Sequence, residues 1–124
     1  MRIYQQPLGA EDLDRAVACW VEHFGARHLA TFDPAGLAFV AVGDLRIMFE
    51  RGSAPSRCYL ATDDAAVTLE RLLASGLTLH SELGDVFDDA LGIFGEPAIE
   101  SLAMVLDTEG NMVGISSRRP HDGQ

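Results

Sequence analysis

Leu102-Ala103-Met104-Val105-Leu106, then Asp107-Thr108-Glu109-Gly110-Asn111, then Met112-Val113-Gly114-Ile115-Ser116 reads as strand, polar turn, strand. An apolar run suits a strand, and Asp, Gly and Asn suit the reversal between two strands. The same outline occurs earlier, as Leu37 to Val42, then Gly43-Asp44, then Leu45 to Glu50. The echo implies two copies of one small unit, and such repeats decide architecture.

Upstream of the first hairpin, residues 2–8 are mixed in polarity and contain Pro7, which suits an edge strand. Gly9-Ala10-Glu11-Asp12 opens a helix with acids in its first turn, where the helix dipole favours them. Leu13, Ala16, Val17, Trp20, Val21 and Phe24 then give one wide apolar face, and Gly25 stops the helix. Residues 27–33 read as a strand and Asp33-Pro34-Ala35-Gly36 as a turn. Leu37 to Val42 is almost wholly apolar, as in a strand covered on both faces. Leu45, Ile47 and Phe49 alternate with Arg46, Met48 and Glu50, so the next strand has two distinct faces. Gly52 to Ser56, with Pro55, is a joint.

The pattern then restarts. Arg57 to Thr62 reads as a strand, Asp63 as a helix cap, and Val67, Leu69, Leu72 and Leu73 as a helical face ended by Gly76. Leu77 to Leu83 reads as a strand, and the acidic, glycine-containing stretch 84–98 as a long loop of the kind that forms lids. The tail from Arg118 is polar and reads as frayed. The predicted architecture is α+β, two β-α-β-β-β modules at 2–51 and 56–118 within one domain, 1–124. Three strand-like segments and then the joint follow the first helix, which disfavours the competing ferredoxin-like β-α-β-β-α-β arrangement.

The balance of charge narrows the partners. Nineteen acidic and nine basic residues give a formal charge of −10, which repels nucleic acid and anionic membranes. The acidity serves solubility or attracts a cationic ligand. No apolar run approaches the roughly 18 residues of a membrane span, and the N-terminus lacks the long apolar region of a signal peptide. The expectation is a cytoplasmic protein with no nucleic-acid and no membrane partner. Cys19 and Cys58 form no metal or redox spacing, and Cys19, beside Trp20 in the helical pattern, reads as core.

The paired modules, the first helix followed by Phe24-Gly25, and the closing Asp107-Thr108-Glu109-Gly110-Asn111 resemble the vicinal oxygen chelate superfamily. That group includes glyoxalase I, methylmalonyl-CoA epimerase, extradiol dioxygenases and the bleomycin and fosfomycin resistance proteins. Gly92-Ile93-Phe94-Gly95-Glu96-Pro97 before Glu100 also looks like uncharacterised members with an extra loop. The resemblance implies a cupped, mostly antiparallel sheet with helices on the convex side and a small-molecule ligand in the concave side. It also implies a homodimer, in which a cup forms within one chain or across two.

In the metal enzymes of that group, four strands supply His or Gln, Glu, His and Glu to one divalent ion. Carried onto this chain, the first position is Gln5, a weak neutral donor. The second falls on Arg46, Met48 or Glu50, of which only Glu50 suits a hard metal. The third is Arg57, whose guanidinium has no lone pair to donate. The fourth is Gly114, which has no side chain. The four histidines, His23, His28, His80 and His121, show no paired ligand spacing. The expectation is therefore no metal and no cofactor.

Strand parity predicts what faces the ligand: Ile3, Gln5 and Pro7; Arg46, Met48 and Glu50; Arg57, Tyr59 and Ala61; Met112, Gly114 and Ser116. Of these, Gln5, Met48, Glu50, Arg57, Tyr59, Gly114 and Ser116 are the candidate binding residues, with Arg57 available to an anionic group. Most of the nine aromatic residues read as core. Three functions fit: a metal-free small-molecule-binding protein; an enzyme; or a non-catalytic dimeric partner with a vestigial cup. The enzyme is either a metal-dependent lyase, isomerase or dioxygenase, or a metal-free one with Glu50 as base.

Overall fold

The computed structural model describes residues 1–121. The elements are β1 (Gln5–Ala10), α1 (Leu13–His23), β2 (Arg27–Phe32), a 3-10 turn (Asp33–Ala35), β3 (Leu37–Val42), β4 (Leu45–Arg51), β5 (Arg57–Ala61), α2 (Ala65–Ala74), β6 (Thr78–Asp89), β7 (Ala98–Leu106) and β8 (Met112–Pro120). The order β-α-β-β-β therefore occurs twice. The strands form two four-stranded sheets, β1-β4-β3-β2 and β5-β8-β7-β6. The described residues group into two compact units, Met1–Cys58 with Leu106–Met112, and Tyr59–Val105 with the chain from Val113 onward.

In the first unit, β1 runs parallel to β4, with Gln5 opposite Arg46 and Gly9 opposite Glu50. The β4-β3 and β3-β2 pairs are antiparallel. Helix α1 starts where the Asp12 carboxylate accepts the Arg15 amide at 3.0 Å, which satisfies one of the helix's orphan donors. Its apolar face, Leu13, Ala16, Cys19 and Trp20, is buried and packs on the sheet over Leu8, Ala38, Val40, Ile47 and Phe49. Trp20 meets Phe49 edge-on, with ring centroids 6.0 Å apart. Burying side chains of this size stabilises by roughly 1.5–3 kcal/mol each before chain entropy is counted.

In the second unit, α2 is capped by Asp64, whose carboxylate accepts the Val67 amide at 3.1 Å. The side chains of Ala65 and Leu72 are buried, as are Ala98, Ala103, Val105, Val113 and Ile115. Strand β6 lies at one edge of its sheet.

The structure moves several predicted boundaries. Gly9 and Ala10 close β1 and do not open the helix, and the α2 cap is Asp64 and not Asp63. Ile3 lies outside β1 and is exposed. Strand β3 is fully buried on one face only, at Ala38 and Val40, so its apolar run does not mean cover on both sides. The predicted loop 84–98 is strand as far as Asp89. An edge strand tolerates acids because they reach partners without being buried: Asp85 pairs with Arg119 at 2.7 Å and Asp88 with His121 at 2.8 Å. Arg118 to Pro120, expected to fray, belong to β8, and the rest of that expectation, from Asp122, lies outside the described residues.

Candidate functional site

The closing turn is a buried polar clasp within the first unit. Asp107, Glu109 and Asn111 are all buried, and each is satisfied. Asp107 Oδ1 accepts the amides of Glu109 at 2.9 Å and Asn111 at 2.8 Å. Its Oδ2 accepts the Trp20 indole N–H at 3.0 Å and the Asn111 side-chain amide at 2.9 Å. Asn111 Oδ1 accepts the amides of Gly9 at 3.1 Å and Ser56 at 2.9 Å, while its Nδ2 donates to the Gly9 carbonyl at 2.8 Å. Gly110 supplies the positive φ of +86° that the reversal needs.

Glu109 reaches the start of α1. Its Oε1 accepts the Glu11 and Asp12 amides, each at 2.9 Å, and its Oε2 accepts from Arg15 Nε at 2.8 Å. Burial, the largest single influence, pushes this carboxyl's pKa up. The Arg15 guanidinium, the Asp12 amide, the Thr108 hydroxyl and the Glu11 amide together outweigh burial and hold it at about 2. The Asp-x-x-Gly-Asn motif is thus spent on structure: its polar atoms face backbone and helix.

The helix-free face of the first sheet carries the predicted set. In β4, Ile47 and Phe49 are buried and Arg46, Met48 and Glu50 alternate with them, so all three predicted alternatives share one face. Gln5 joins two of them, donating to Met48 Sδ at 3.6 Å and accepting from Arg46 Nε at 2.8 Å. The Arg46 guanidinium lies 5.1 Å from the Tyr4 ring centroid and 5.3 Å from that of Phe39. Phe39 in turn meets Phe32 edge-on. Glu50 is exposed and accepts a hydrogen bond from Ser53. The aromatic residues are not mostly core: Tyr4, Phe32, Tyr59, Phe87 and Phe94 are exposed, Tyr4 ahead of β1 and Phe94 in the turn after β6.

The second unit holds a cavity of about 420 Å³ lined by Tyr59, Leu60, Ala61, Val86, Glu100, Leu102 and Ser116. Tyr59 and Ser116 were expected at a binding face. Gly114 lies beneath Tyr59: a Cβ on Gly114 would sit 2.6 Å from Tyr59 Cδ2 and 3.1 Å from Leu102 Cδ1. Arg57 is exposed and is not part of this wall. Val86, Glu100 and Leu102 were not singled out from sequence. Alternation along β7 was the available signal, since Glu100 and Leu102 share one parity.

A small network backs Glu100. Arg118 Nη2 donates to Asp89 Oδ2 at 2.9 Å and to the Glu96 carbonyl at 2.8 Å. Asp89 also accepts the amides of Ile93 at 2.7 Å and Phe94 at 2.9 Å, which fixes the turn after β6. Burial opposes ionisation of Asp89, but the Phe94 amide, Arg118 and the Ile93 amide prevail and lower its pKa. Arg118 Nη1 lies 3.3 Å from Glu100 Oε2 and forms no hydrogen bond among the described residues.

The four inherited ligand positions do not fit a divalent metal. The Gln5 carbonyl oxygen already accepts from Arg46, and Glu50 accepts from Ser53. Arg57 is a cation, and the Tyr59 ring fills the place a side chain at 114 would take. Among the described residues, no three His, Cys, Asp or Glu side chains cluster as a metal site would require. His28 instead meets the Thr31 hydroxyl at 2.8 Å.

The sequence matches the model of the Glyoxalase/Bleomycin resistance protein/Dioxygenase superfamily over residues 5–115. The chain belongs to that superfamily. Solved structures agree on the fold. TioX from Micromonospora sp. ML1 superposes with a TM-score of 0.70 at 22% identity, over 96% of this chain and 100% of that one. A lactoylglutathione lyase from Agrobacterium tumefaciens gives 0.72 at 16% identity, over 94% and 92%. A virulence protein from Salmonella typhimurium gives 0.73 at 15% identity, over 94% and 96%. No curated protein matches the sequence. No helix among the described residues is long and apolar enough to cross a membrane.

Proposed function

We propose that this chain is a small-molecule-binding protein of the glyoxalase/bleomycin resistance type, and that it holds its ligand on a helix-free sheet face without a metal. The observation that carries this reading is Tyr59 over Gly114. The resemblance assigns the family's fourth carboxylate ligand to position 114; the space for a side chain there is filled by an aromatic ring, and that ring walls an apolar cavity. Small-molecule sites have this composition, a mostly apolar lining with a few placed polar groups. Here Glu100 and Ser116 are those groups.

The reading extends to a homodimer. Leu91, Ile93 and Phe94 stand exposed on the turn after β6, and exposed apolar clusters of this kind mark association surfaces. Sedimentation equilibrium gives the mass.

Native mass spectrometry of protein expressed without an affinity tag tests ligand binding, after incubation with a small-molecule mixture and with EDTA present throughout. The expected result is a one-to-one organic adduct that survives EDTA and is lost in Leu102→Ala and Tyr59→Ala. An adduct that EDTA abolishes would favour the metal-dependent enzymes of the superfamily instead.

A further inference from the structure

We infer that the ligand of the second unit's cavity is an organic cation: a protonated or quaternary amine carried on an apolar body. This rests on the cavity being the binding site proposed above, and adds the chemical class. The walls supplied by Leu60, Ala61, Val86 and Leu102 offer only apolar contact. The charged group in the wall is a carboxylate, Glu100. Its countercharge is incomplete. Two carboxylates, Asp89 and Glu100, share the single guanidinium of Arg118. Arg118 Nη2 is committed to Asp89 and to the Glu96 carbonyl. Its Nη1 stands 3.3 Å from Glu100 and forms no hydrogen bond among the described residues. The group of three keeps one excess negative charge, and Glu100 keeps accepting capacity toward the cavity.

The Tyr59 ring shares that wall, and the face of an aromatic ring attracts a cation. The long-range field agrees, since a formal charge of −10 concentrates cations and repels anions. Arg57, the residue suited to an anion, is not in this wall.

The test uses three probes of one shape, benzylamine, benzyl alcohol and benzoate, titrated into the full chain at pH 7 with amide resonances followed by NMR. Benzylamine is expected to bind at least about tenfold more tightly than benzyl alcohol, with benzoate weaker than both. Shifts should centre on Tyr59, Leu102 and Ser116. Glu100→Gln should lower benzylamine to the level of benzyl alcohol, and retained alcohol binding shows the cavity intact. Benzoate binding as tightly as benzylamine overturns the inference, as does a charge preference that survives Glu100→Gln. Equal binding of amine and alcohol in the native chain overturns the cation class alone. No response at the cavity to any probe overturns the class and the proposed site together.

Discussion

The ring of Tyr59 occupies the space that a side chain at Gly114 would need, with Cδ2 only 2.6 Å from the position of an added Cβ. Sub-contact distances of this kind force either rotation of the ring or a backbone shift. Gly114→Ala is therefore expected to lower stability by about 1–3 kcal/mol. In a Tyr59→Ala background the same substitution should cost less than about 1 kcal/mol, because the clashing ring is gone. Urea denaturation of the four proteins of this cycle checks both values.

Asn111 holds three backbone groups at once, the Gly9 and Ser56 amides and the Gly9 carbonyl. Asn111→Leu removes all three partners and leaves them buried. Each unsatisfied group costs about 1–3 kcal/mol, so the loss is expected to reach about 3 kcal/mol or more. Asn111→Asp keeps Oδ1 but loses the donor to both the Gly9 carbonyl and Asp107 Oδ2 and sets two buried carboxyl groups side by side, so it is expected to cost at least as much. Thermal unfolding of both variants ranks them.

Glu109 makes acid stability a readout of the same clasp. Its folded pKa of about 2 lies below its ordinary value of 4.5. A depressed carboxyl contributes stability that is fully present above the ordinary value and is lost as pH falls toward 2. With half-exposed Arg15 as partner, the contribution is discounted to about 2 kcal/mol. Glu109→Gln is expected to be less stable at pH 7 by about that amount, with a flatter stability profile between pH 5 and pH 2. A profile as steep as that of the native chain would remove Glu109 from this role.

Trp20 ties the same network to the core, donating its indole N–H to Asp107. Trp20→Phe keeps much of the apolar contact with Phe49 but leaves Asp107 Oδ2 one donor short. The expected cost is about 2 kcal/mol, the sum of lost packing and a lost charge-assisted hydrogen bond. Chemical denaturation monitored by far-UV circular dichroism measures it.

Periodicity made the fold legible. The alternation of Ile47 and Phe49 against Arg46, Met48 and Glu50 gave the two faces of β4, and the repeated hairpin gave the two modules. The meaning of the Asp107–Asn111 turn was legible only as a reversal and a family mark. Its hydrogen-bond partners Gly9, Glu11, Asp12 and Trp20 lie 87 to 102 positions away. No local pattern carries such pairings. Strand β6 was hidden beyond Leu83 because an exposed edge strand has no buried face to impose alternation.

The candidate site was half visible. Tyr59, Gly114 and Ser116 were placed by the parity of strands β5 and β8, and they do meet around one cavity or beneath its wall. Val86 and Glu100 were not, because they stand on β6 and β7 while the ligand positions implied by the resemblance lie on β1, β4, β5 and β8. Arg57 is the one cation on β5, but it is not in the cavity wall. The charged group that lines the cavity comes from β7, and it is a carboxylate.

Elemental analysis by inductively coupled plasma mass spectrometry is the most direct check on metal-free binding. The sample is the full chain, expressed without an affinity tag and purified without chelator from cells grown with zinc, nickel, iron and manganese. Far less than one divalent ion per chain is expected, unchanged in Gln5→Ala and Glu50→Gln. Near-stoichiometric metal that falls in either variant would rule out metal-free binding.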